Sequence, residues 1–449
     1  MPAIPRSAAR LTLCAVALTF ALSACDRPEP AAAPAAAPPV TASALPSACN
    51  PASTCPGSVC ATAITSASTT VPADACPRYR SFQSDVDVYA WNAFVAINWP
   101  ADPATCAANT ALPINAPGPR VWETYALDSD VFVASGQPKA WCSDSLRASL
   151  GGPRPFRQHH KAPHSLLAGL EGIEEAVGGV LTDQNRRFVR YEVRINQDEH
   201  NYLLANGLWN KAGQRSHVIN FPQGASDHPS RCGAVPCGPT GAMEVKSAWK
   251  VLSDEEKASG KFYTTEGIVY NDDAGTPSPG RNPVTLGLVG LHVLHKTESE
   301  PTWFWATFEH VDNTTKSSYN PSCEDCKPNV QTAAQPYKEL DDNGRPLNAP
   351  VQVVRTTPIA QADSYAPELS KYYQGLLRDA GSVFQHYELV SVQWAFETAM
   401  EGAPTPLANT VLETYVQPNS SCMGCHKQYA RTAVGTPADF SFLLGQATQ

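Results

Sequence analysis

Apolar side chains recur every three or four positions between Phe82 and Asn98, and the run ends at Trp99-Pro100. This spacing predicts an amphipathic helix, and its many aromatic residues indicate that it packs in the core. Helical spacing returns from Glu368 to Asp379. Between these two segments the pattern changes to short apolar runs of strand length.

The middle of the chain consists mainly of candidate strands. They are Arg187 to Ile195, Met243 to Val251, Phe262 to Tyr270, Leu286 to Thr297, Thr302 to Val311 and, further along, Phe384 to Trp394. Asn271 to Gly275 is a turn signal between two of them, and Val121 to Tyr125 is a brief helix or strand. Because the strands follow one another without long helices between them, the sequence predicts an α+β fold. We expect a mainly antiparallel sheet with flanking helices and a short helical segment at the C-terminus.

Aromatic residues crowd the candidate strand from Thr302 to Val311. Alternation places Trp305 and Glu309 on one face and Phe308 and His310 on the other. One face could line a pocket in which Glu309 donates or accepts protons. The simpler interpretation, which we prefer, is a strand buried on both sides.

The N-terminus has the pattern of a targeting signal. Arg6 and Arg10 precede an apolar run from Leu11 to Leu22, which is too short to span a bilayer comfortably. The run ends in Leu22-Ser23-Ala24-Cys25, which is similar to a bacterial lipobox. We therefore expect residues 1–24 to be removed and Cys25 to be lipidated, which would anchor the protein on the periplasmic side of the inner or outer membrane. The alternative is an ordinary signal peptide with a chance cysteine.

The rest of the chain divides by composition. Residues 25–48 form an Ala/Pro-rich tether, residues 49–80 a Cys-rich segment, residues 81–405 the α+β globular domain and residues 406–449 a C-terminal segment. Removal of residues 1–24 lowers the formal net charge from −9 to −11. Such an acidic protein is not expected to bind nucleic acid, and its charge mildly favours basic partners.

The chain has 14 cysteines. Cys14 leaves with the signal segment, Cys25 is expected to be lipidated, and Cys422 and Cys425 belong to a motif described below. The remaining cysteines are even in number, and export to an oxidising compartment permits them to form disulfides. Cys232 and Cys237 are close enough in sequence to pair, and so are Cys323 and Cys326. A bond between Cys106 and Cys142 is a further candidate. The cysteines from Cys49 to Cys76 are expected to pair among themselves, because this segment is too rich in Pro and Ser to form its own core.

One motif near the C-terminus carries specific chemistry. In Cys422-Met423-Gly424-Cys425-His426, two thiols separated by two residues can add to the two vinyl groups of one haem, and the following histidine can reach the iron. The sequence therefore predicts one covalent haem c on a short C-terminal helix, with Cys422 and Cys425 as attachment points and His426 as the proximal ligand.

Two other interpretations of the motif remain open. Cys422 and Cys425 could form a plain disulfide. Together with Cys323 and Cys326 they could instead provide the four thiolates of a zinc site. Lys327, not histidine, follows the second cysteine pair, so that pair is not a second haem motif.

The other face of the haem needs a ligand from elsewhere, because the 23 residues after His426 contain neither Met nor His. The distal candidates are Met400, His292 and His310, and Met243 and His295 are also considered. Met400 lies shortly before the motif and would give a Met/His pair. An open distal face, which would allow a small ligand to bind, is an equal alternative.

Several segments resemble those of exported bacterial cytochrome c family proteins. They are Trp91 to Phe94, Asn98 to Pro100, Gly287 to His292, Trp303 to Asn313, Asn409 to Tyr415 and the haem motif itself. The resemblance spans most of the mature chain and implies haem attachment at Cys422, Cys425 and His426, without implying a particular reaction.

These observations favour an electron-transfer protein that exchanges electrons with an unidentified redox partner. A bare carrier needs only one small domain of roughly 100 residues, so the size of this chain leaves two alternatives open. The first is an exported oxidoreductase in which His292, Glu309 and His310 act on an unknown substrate. The second is a haem-based sensor of a small ligand.

Overall fold

The computed structural model describes residues 45–47, 49, 55–75, 83–143, 150, 152–156, 181–185, 187–224, 238–269, 282–314, 327–328, 351–359, 365–394 and 407–449. Within them, the helices are α1 (Gln83–Ile97), α2 (Asp128–Val131), α3 (Gln197–Ala205), α4 (Lys211–Ser216), α5 (Asp254–Ser259), α6 (Ala366–Asp379) and α7 (Cys422–Tyr429). Short 3-10 helices cover Pro56–Ser58, Ser66–Thr69, Val121–Thr124, Val383–His386, Gln417–Asn419 and Leu443–Gln446.

The strands of the same residues are β1 (Ala101–Asp102), β2 (Ala107–Ala108), β3 (Ala126–Leu127), β4 (Arg154–Phe156), β5 (Arg190–Ile195), β6 (Met243–Val251), β7 (Thr264–Val269), β8 (Val284–His295), β9 (Phe304–His310), β10 (Lys327–Pro328), β11 (Val351–Gln352) and β12 (Tyr387–Gln393). The main sheet has the order β12-β9-β8-β6-β5-β3, and all of these neighbours are antiparallel. The first residues of β8 pair with β7, and β4 joins β7 in parallel. The predicted α+β class with a mainly antiparallel sheet is confirmed.

The two faces of the main sheet pack against different parts of the chain, because successive residues of a strand point to opposite sides. Val293 and Phe308 lie on the side covered by α1 and α6, which we call the helical face. Leu294 and Trp305 pair with each other on the opposite side and pack against residues 407–449. We call this side the C-terminal face.

The helical face is covered as the sequence pattern predicts. Trp91 of α1 stacks on Tyr373 of α6, with ring centres 5.1 Å apart, and Phe94 stacks on Phe308 of β9 at 4.2 Å. These rings are fully buried. Aromatic pairs of this kind stabilise a core by about 0.5–1.5 kcal/mol beyond the burial of their area.

The described part of the Cys-rich segment packs on the same helices. The Ala61 amide donates to the Tyr373 hydroxyl at 3.3 Å. One disulfide joins Cys49 to Cys60, and another joins Cys106 to Cys142, with Cα atoms 5.6 and 5.8 Å apart.

Other sequence expectations fall outside the described residues. These are the signal segment with Cys25, the Ala/Pro-rich tether, Met400, the turn at Asn271 to Gly275, and the pairs Cys232–Cys237 and Cys323–Cys326. In the part of the chain that is described, none of the helices has the length and apolar character needed to cross a bilayer.

Candidate functional site

The motif Cys422 to His426 opens the helix α7. Ser421 is its N-cap, and the Ser421 hydroxyl accepts a hydrogen bond from the Gly424 amide at 3.1 Å. Because residues three apart lie on the same side of a helix, Cys422 and Cys425 project in similar directions. Both cysteines are free thiols. The structure therefore presents two thiols and a histidine on one short, capped helix.

The residue between the thiols fastens the helix to the sheet. Met423 is only 7% exposed and packs in the cluster that includes Leu294 and Trp305 of the C-terminal face. Its amide donates to the side-chain oxygen of Gln393, the last residue of β12, at 3.1 Å. One face of α7 is thus fixed against the sheet, while Cys425 lies on the exposed side.

The imidazole of His426 is held by its Nδ1 atom, which lies 2.6 Å from the carbonyl oxygen of Phe440. A carbonyl can only accept, so Nδ1 carries the proton and Nε2 keeps its lone pair. The ring contacts Trp305 and Phe442, with centre distances of 4.4 and 4.6 Å. A metal-binding histidine is usually oriented in this way, with its second nitrogen donating to a carbonyl or carboxylate.

The Phe440 carbonyl is aimed by a strained turn. Asp439 and Phe440 have φ values of 49° and 71°, in the left-handed region that non-glycine residues rarely adopt. The turn is held in place by the Trp303 indole, which donates to the Asp439 carbonyl at 3.1 Å, and Trp303 itself has a φ of 72°. Strain of this kind costs about 1–3 kcal/mol per residue and is concentrated at functional sites.

Burial keeps His426 neutral. It lowers the pKa of His426 to about 3, and the electrostatic interactions with Lys246 and His292 act in the same direction. The hydrogen bond to Phe440 and the charge of Glu413 oppose this shift without cancelling it. A neutral imidazole with a free lone pair is the form that binds a metal.

Three charged or polar side chains surround the motif, and we call Lys246, His292 and Glu413 the polar trio. Lys246 and His292 are direct cross-strand neighbours on β6 and β8. The Nε2 atom of His292 lies 2.9 Å from a carboxylate oxygen of Glu413. The Asn409 amide donates to the other oxygen of that carboxylate, also at 2.9 Å. Burial alone would raise the pKa of Glu413, but His292 and Asn409 together hold it below its ordinary value.

The two thiols of the motif differ in their surroundings. Burial raises the pKa of Cys422 well above its ordinary value, with smaller contributions from the charges of Glu413 and Cys425. Cys425 is exposed to solvent. Before any modification, the Cys422 thiol is therefore protonated and partly buried near the polar trio, and the Cys425 thiol is accessible.

Of the distal candidates, the structure brings only His292 to the motif within the described residues. His310 lies on the helical face, where it is fully buried, stacks on Phe262 at 4.0 Å and has its Nε2 atom 3.2 Å from the Lys261 carbonyl. His295 also lies on that face, in contact with the Tyr89 hydroxyl. Met243 is on the helical face too, since it pairs directly with His295.

Glu309 lies on the C-terminal face, as alternation predicts, but its carboxylate is already bonded to other side chains and to the backbone. Its carboxylate pairs with Arg355 and accepts hydrogen bonds from the amide and hydroxyl of Thr410, both at 3.0 Å. It joins β9 to the C-terminal segment. Every residue of β9 is buried, so the predicted burial on both sides is confirmed.

Sequence reasoning missed three contributors to the site: Lys246, Glu413 and the carbonyl of Phe440. Glu413 lies 121 residues from His292, and no local pattern reveals that contact. A weak signal for Lys246 does exist, because its position on β6 follows directly from the alternation of that strand. The left-handed turn at Phe440 has no glycine to mark it.

Comparison of the chain with protein-family models, with curated proteins and with solved structures gives no match. The site must therefore be interpreted from its own residues. In the described part of the chain, no three His, Cys, Asp or Glu side chains converge to hold a metal ion directly. The zinc alternative additionally needs Cys323 and Cys326, which lie outside the described residues.

Proposed function

We propose that this chain is an exported, lipid-anchored c-type cytochrome that carries one haem near its C-terminus and transfers single electrons. Cys422 and Cys425 would hold the haem by thioether bonds, and His426 would be its proximal ligand. When bound, the haem supplies a one-electron iron couple. Lipidation of Cys25 would keep the protein on the periplasmic side of the membrane, where it would meet its redox partner.

One observation carries the proposal. On a single helix, two free thiols at positions i and i+3 are followed by a neutral imidazole whose Nδ1 donates to the Phe440 carbonyl. That carbonyl fixes the tautomer and leaves Nε2 as the ligand atom, which is what axial ligation requires of the residues present. Both thiols are unpaired in the structure, which is the form that thioether attachment requires.

The polar trio supports His292 as the residue that faces the haem from the sheet. His292 influences the protonation of His426, and Glu413 influences both His426 and Cys422, so these side chains lie close together. Met400 remains a candidate from sequence alone. Exposure of Cys425 and of Tyr429, which is 61% exposed, places one side of α7 at the surface, where a partner could exchange electrons.

A second candidate function is a haem-dependent oxidoreductase, and the hydrogen-bonded His292–Glu413 pair favours it. Such a pair can hold or release a proton beside a reacting group. In this function the haem would have an open face, and the pair would act on a small ligand or substrate bound there.

Absorbance spectroscopy of the purified mature protein tests both functions. Haem absorbance that stays with the polypeptide after denaturation and solvent extraction of free haem shows covalent attachment, and its loss in Cys422→Ala with retention in Met423→Leu assigns the attachment. A reduced protein whose spectrum ignores carbon monoxide supports electron transfer, whereas a changed spectrum supports the second function. Purified protein with no Soret band, or with bound zinc, contradicts both.

A further inference from the structure

A pair of buried carboxyl groups lies near the candidate haem site. Glu199 of α3 is 0% exposed and Glu244 of β6 is 5% exposed. The two carboxyls are within hydrogen-bonding reach of each other, and Glu244 is also within reach of the Ser441 hydroxyl. Among the residues that the structure describes, no N–H or O–H group donates a hydrogen bond to either oxygen of Glu199. The two groups can therefore bond only if one of them carries a proton.

The charges around the pair also indicate that one of the two carboxyl groups carries a proton. In the described part of the chain, the titratable groups that face it are Asp439, from the strained turn, and Lys296, which follows β8. Lys296 already forms an ion pair with Asp439 and donates to the Asn220 side chain at 2.8 Å. If both glutamates were ionised, this buried group of four would carry a net charge of −2. Two adjacent carboxylates in a buried site cannot both remain ionised, so one keeps its proton.

The pair is connected to the candidate haem site in two ways. Along β6, Glu244 precedes Lys246 of the polar trio by two residues and shares its face of the sheet. Across the sheet, Glu244 pairs with Leu294, and Leu294 pairs with Trp305, whose ring contacts His426. Through Ser441, the pair also reaches the residue next to Phe440, whose carbonyl orients His426.

We infer that Glu199 and Glu244 form a buried proton-binding site whose occupancy is coupled to the redox state of the haem. The inference rests on the proposed function. In a chain that carries haem, the negative charge of one electron from a one-electron donor would be balanced by one proton from water, which the carboxyl pair would bind in addition to the proton that it already holds. On oxidation the electron would pass to an acceptor and this second proton would return to water.

The directions in which the pKa values of Glu244 and Glu199 are shifted agree with such a site. Burial raises the pKa of Glu244 to about 7, with the charge of Asp439 acting in the same direction and Ser441 and Glu199 opposing it. Burial, followed by the charge and hydrogen bond of Glu244, raises the pKa of Glu199 well above its ordinary value. A group that titrates near neutral pH can take up or release a proton as the nearby charge changes.

The test is the haem midpoint potential of the holoprotein, measured by electrochemical titration across the neutral pH range. In the wild type we expect the potential to fall with rising pH, with a slope that approaches about 59 mV per pH unit, the value for one proton per electron. Glu199→Gln and Glu244→Gln keep the shape of the pair, but their amides cannot exchange this proton. Each should flatten the slope, whereas Glu255→Gln, at an exposed position of α5, should leave it unchanged.

The outcomes separate the inference from the proposed function. A protein with a Soret band and the same slope in the wild type and in both glutamine variants overturns the proton site and leaves the cytochrome intact. A protein without haem overturns the proposed function. If either variant fails to fold, proton uptake on electrochemical reduction of the unbuffered wild type decides: about one proton per electron supports the site, and none overturns it.

Discussion

A carboxylate oxygen of Glu413 holds the Nε2 atom of His292 at 2.9 Å and thereby joins β8 to the C-terminal segment. His292 is the only distal candidate that the described residues bring to the motif. Its position depends on this contact with Glu413, which lies just upstream of the motif. The same hydrogen bond therefore contributes both to the docking of residues 407–449 and to the position of His292.

The first prediction separates the distal candidates. His292→Gln should change the absorbance spectrum of the haem, or its response to carbon monoxide, because His292 faces the motif. His310→Gln should leave both unchanged, because that residue lies on the helical face against Phe262. A change in Met400→Leu alone would transfer the distal role to Met400, and no change in any of the three variants would reject them all.

The second prediction concerns the attachment of α7 to the sheet. Gln393 is buried, and its side chain accepts from the Met423 amide, so Gln393→Ala should lower the free energy of unfolding by about 1–3 kcal/mol. It should also reduce the fraction of chains that carry haem. Gln428→Ala, at an exposed position of the same helix, is the matched control. Equal stability of the two variants in urea denaturation would mean that Gln393 does not anchor the helix.

A third prediction follows from the packing of Met423. Met423→Ala removes a buried side chain from the cluster around Trp305 and should cost about 2–5 kcal/mol. Met423→Leu conserves volume and should cost less than about 1.5 kcal/mol. Both variants keep the two thiols and the histidine. If the alanine variant unfolds at the same denaturant concentration as the wild type, then Met423 is not part of the core.

The fourth prediction is a loss of stability in acid. Burial lowers the pKa of His295 to about 4 and that of His310 to about 3, so the folded protein binds these protons less tightly than the unfolded chain. Their contribution is complete above the ordinary histidine pKa of about 6.5 and declines as the pH falls towards the folded values. The free energy of unfolding should decrease by up to about 1.4 kcal/mol per pH unit for each histidine.

Denaturation curves between pH 7 and pH 4 measure this effect. His310→Gln removes one titrating group, so its curve should fall less steeply than that of the wild type over the same interval. His217→Gln, at an exposed position, should follow the wild type. Parallel curves for the wild type and His310→Gln would show that His310 does not take part.

Much of the fold could be predicted because the spacing of hydrophobic residues along the sequence matches the burial of those residues in the structure. The predicted helix from Phe82 to Asn98 appears as α1, and the strand from Met243 to Val251 appears as β6 with the same bounds. The helix α3 was missed because its polar sequence, Gln197 to Ala205, shows little amphipathic pattern; its start is instead set by Asn196, whose side chain caps the Glu199 amide.

The site was only partly predictable, for a related reason. A contiguous motif predicts the roles of Cys422, Cys425 and His426, because attachment of haem through two thiols and one histidine requires their spacing in the sequence. The groups that orient them come from distant segments, and their roles depend on which face of the sheet each residue occupies. His292 and His310 look alike in sequence, and only the register of β8 against β9 places them on opposite faces.

The unequal surroundings of the two motif thiols have a practical use. An alkylating reagent acts on accessible thiolate, so in chains that lack the cofactor it should label Cys425 and spare Cys422. In chains with thioether bonds neither sulfur can react. Peptide mass spectrometry of the labelled protein would therefore count the immature fraction in any preparation and report how far maturation has gone.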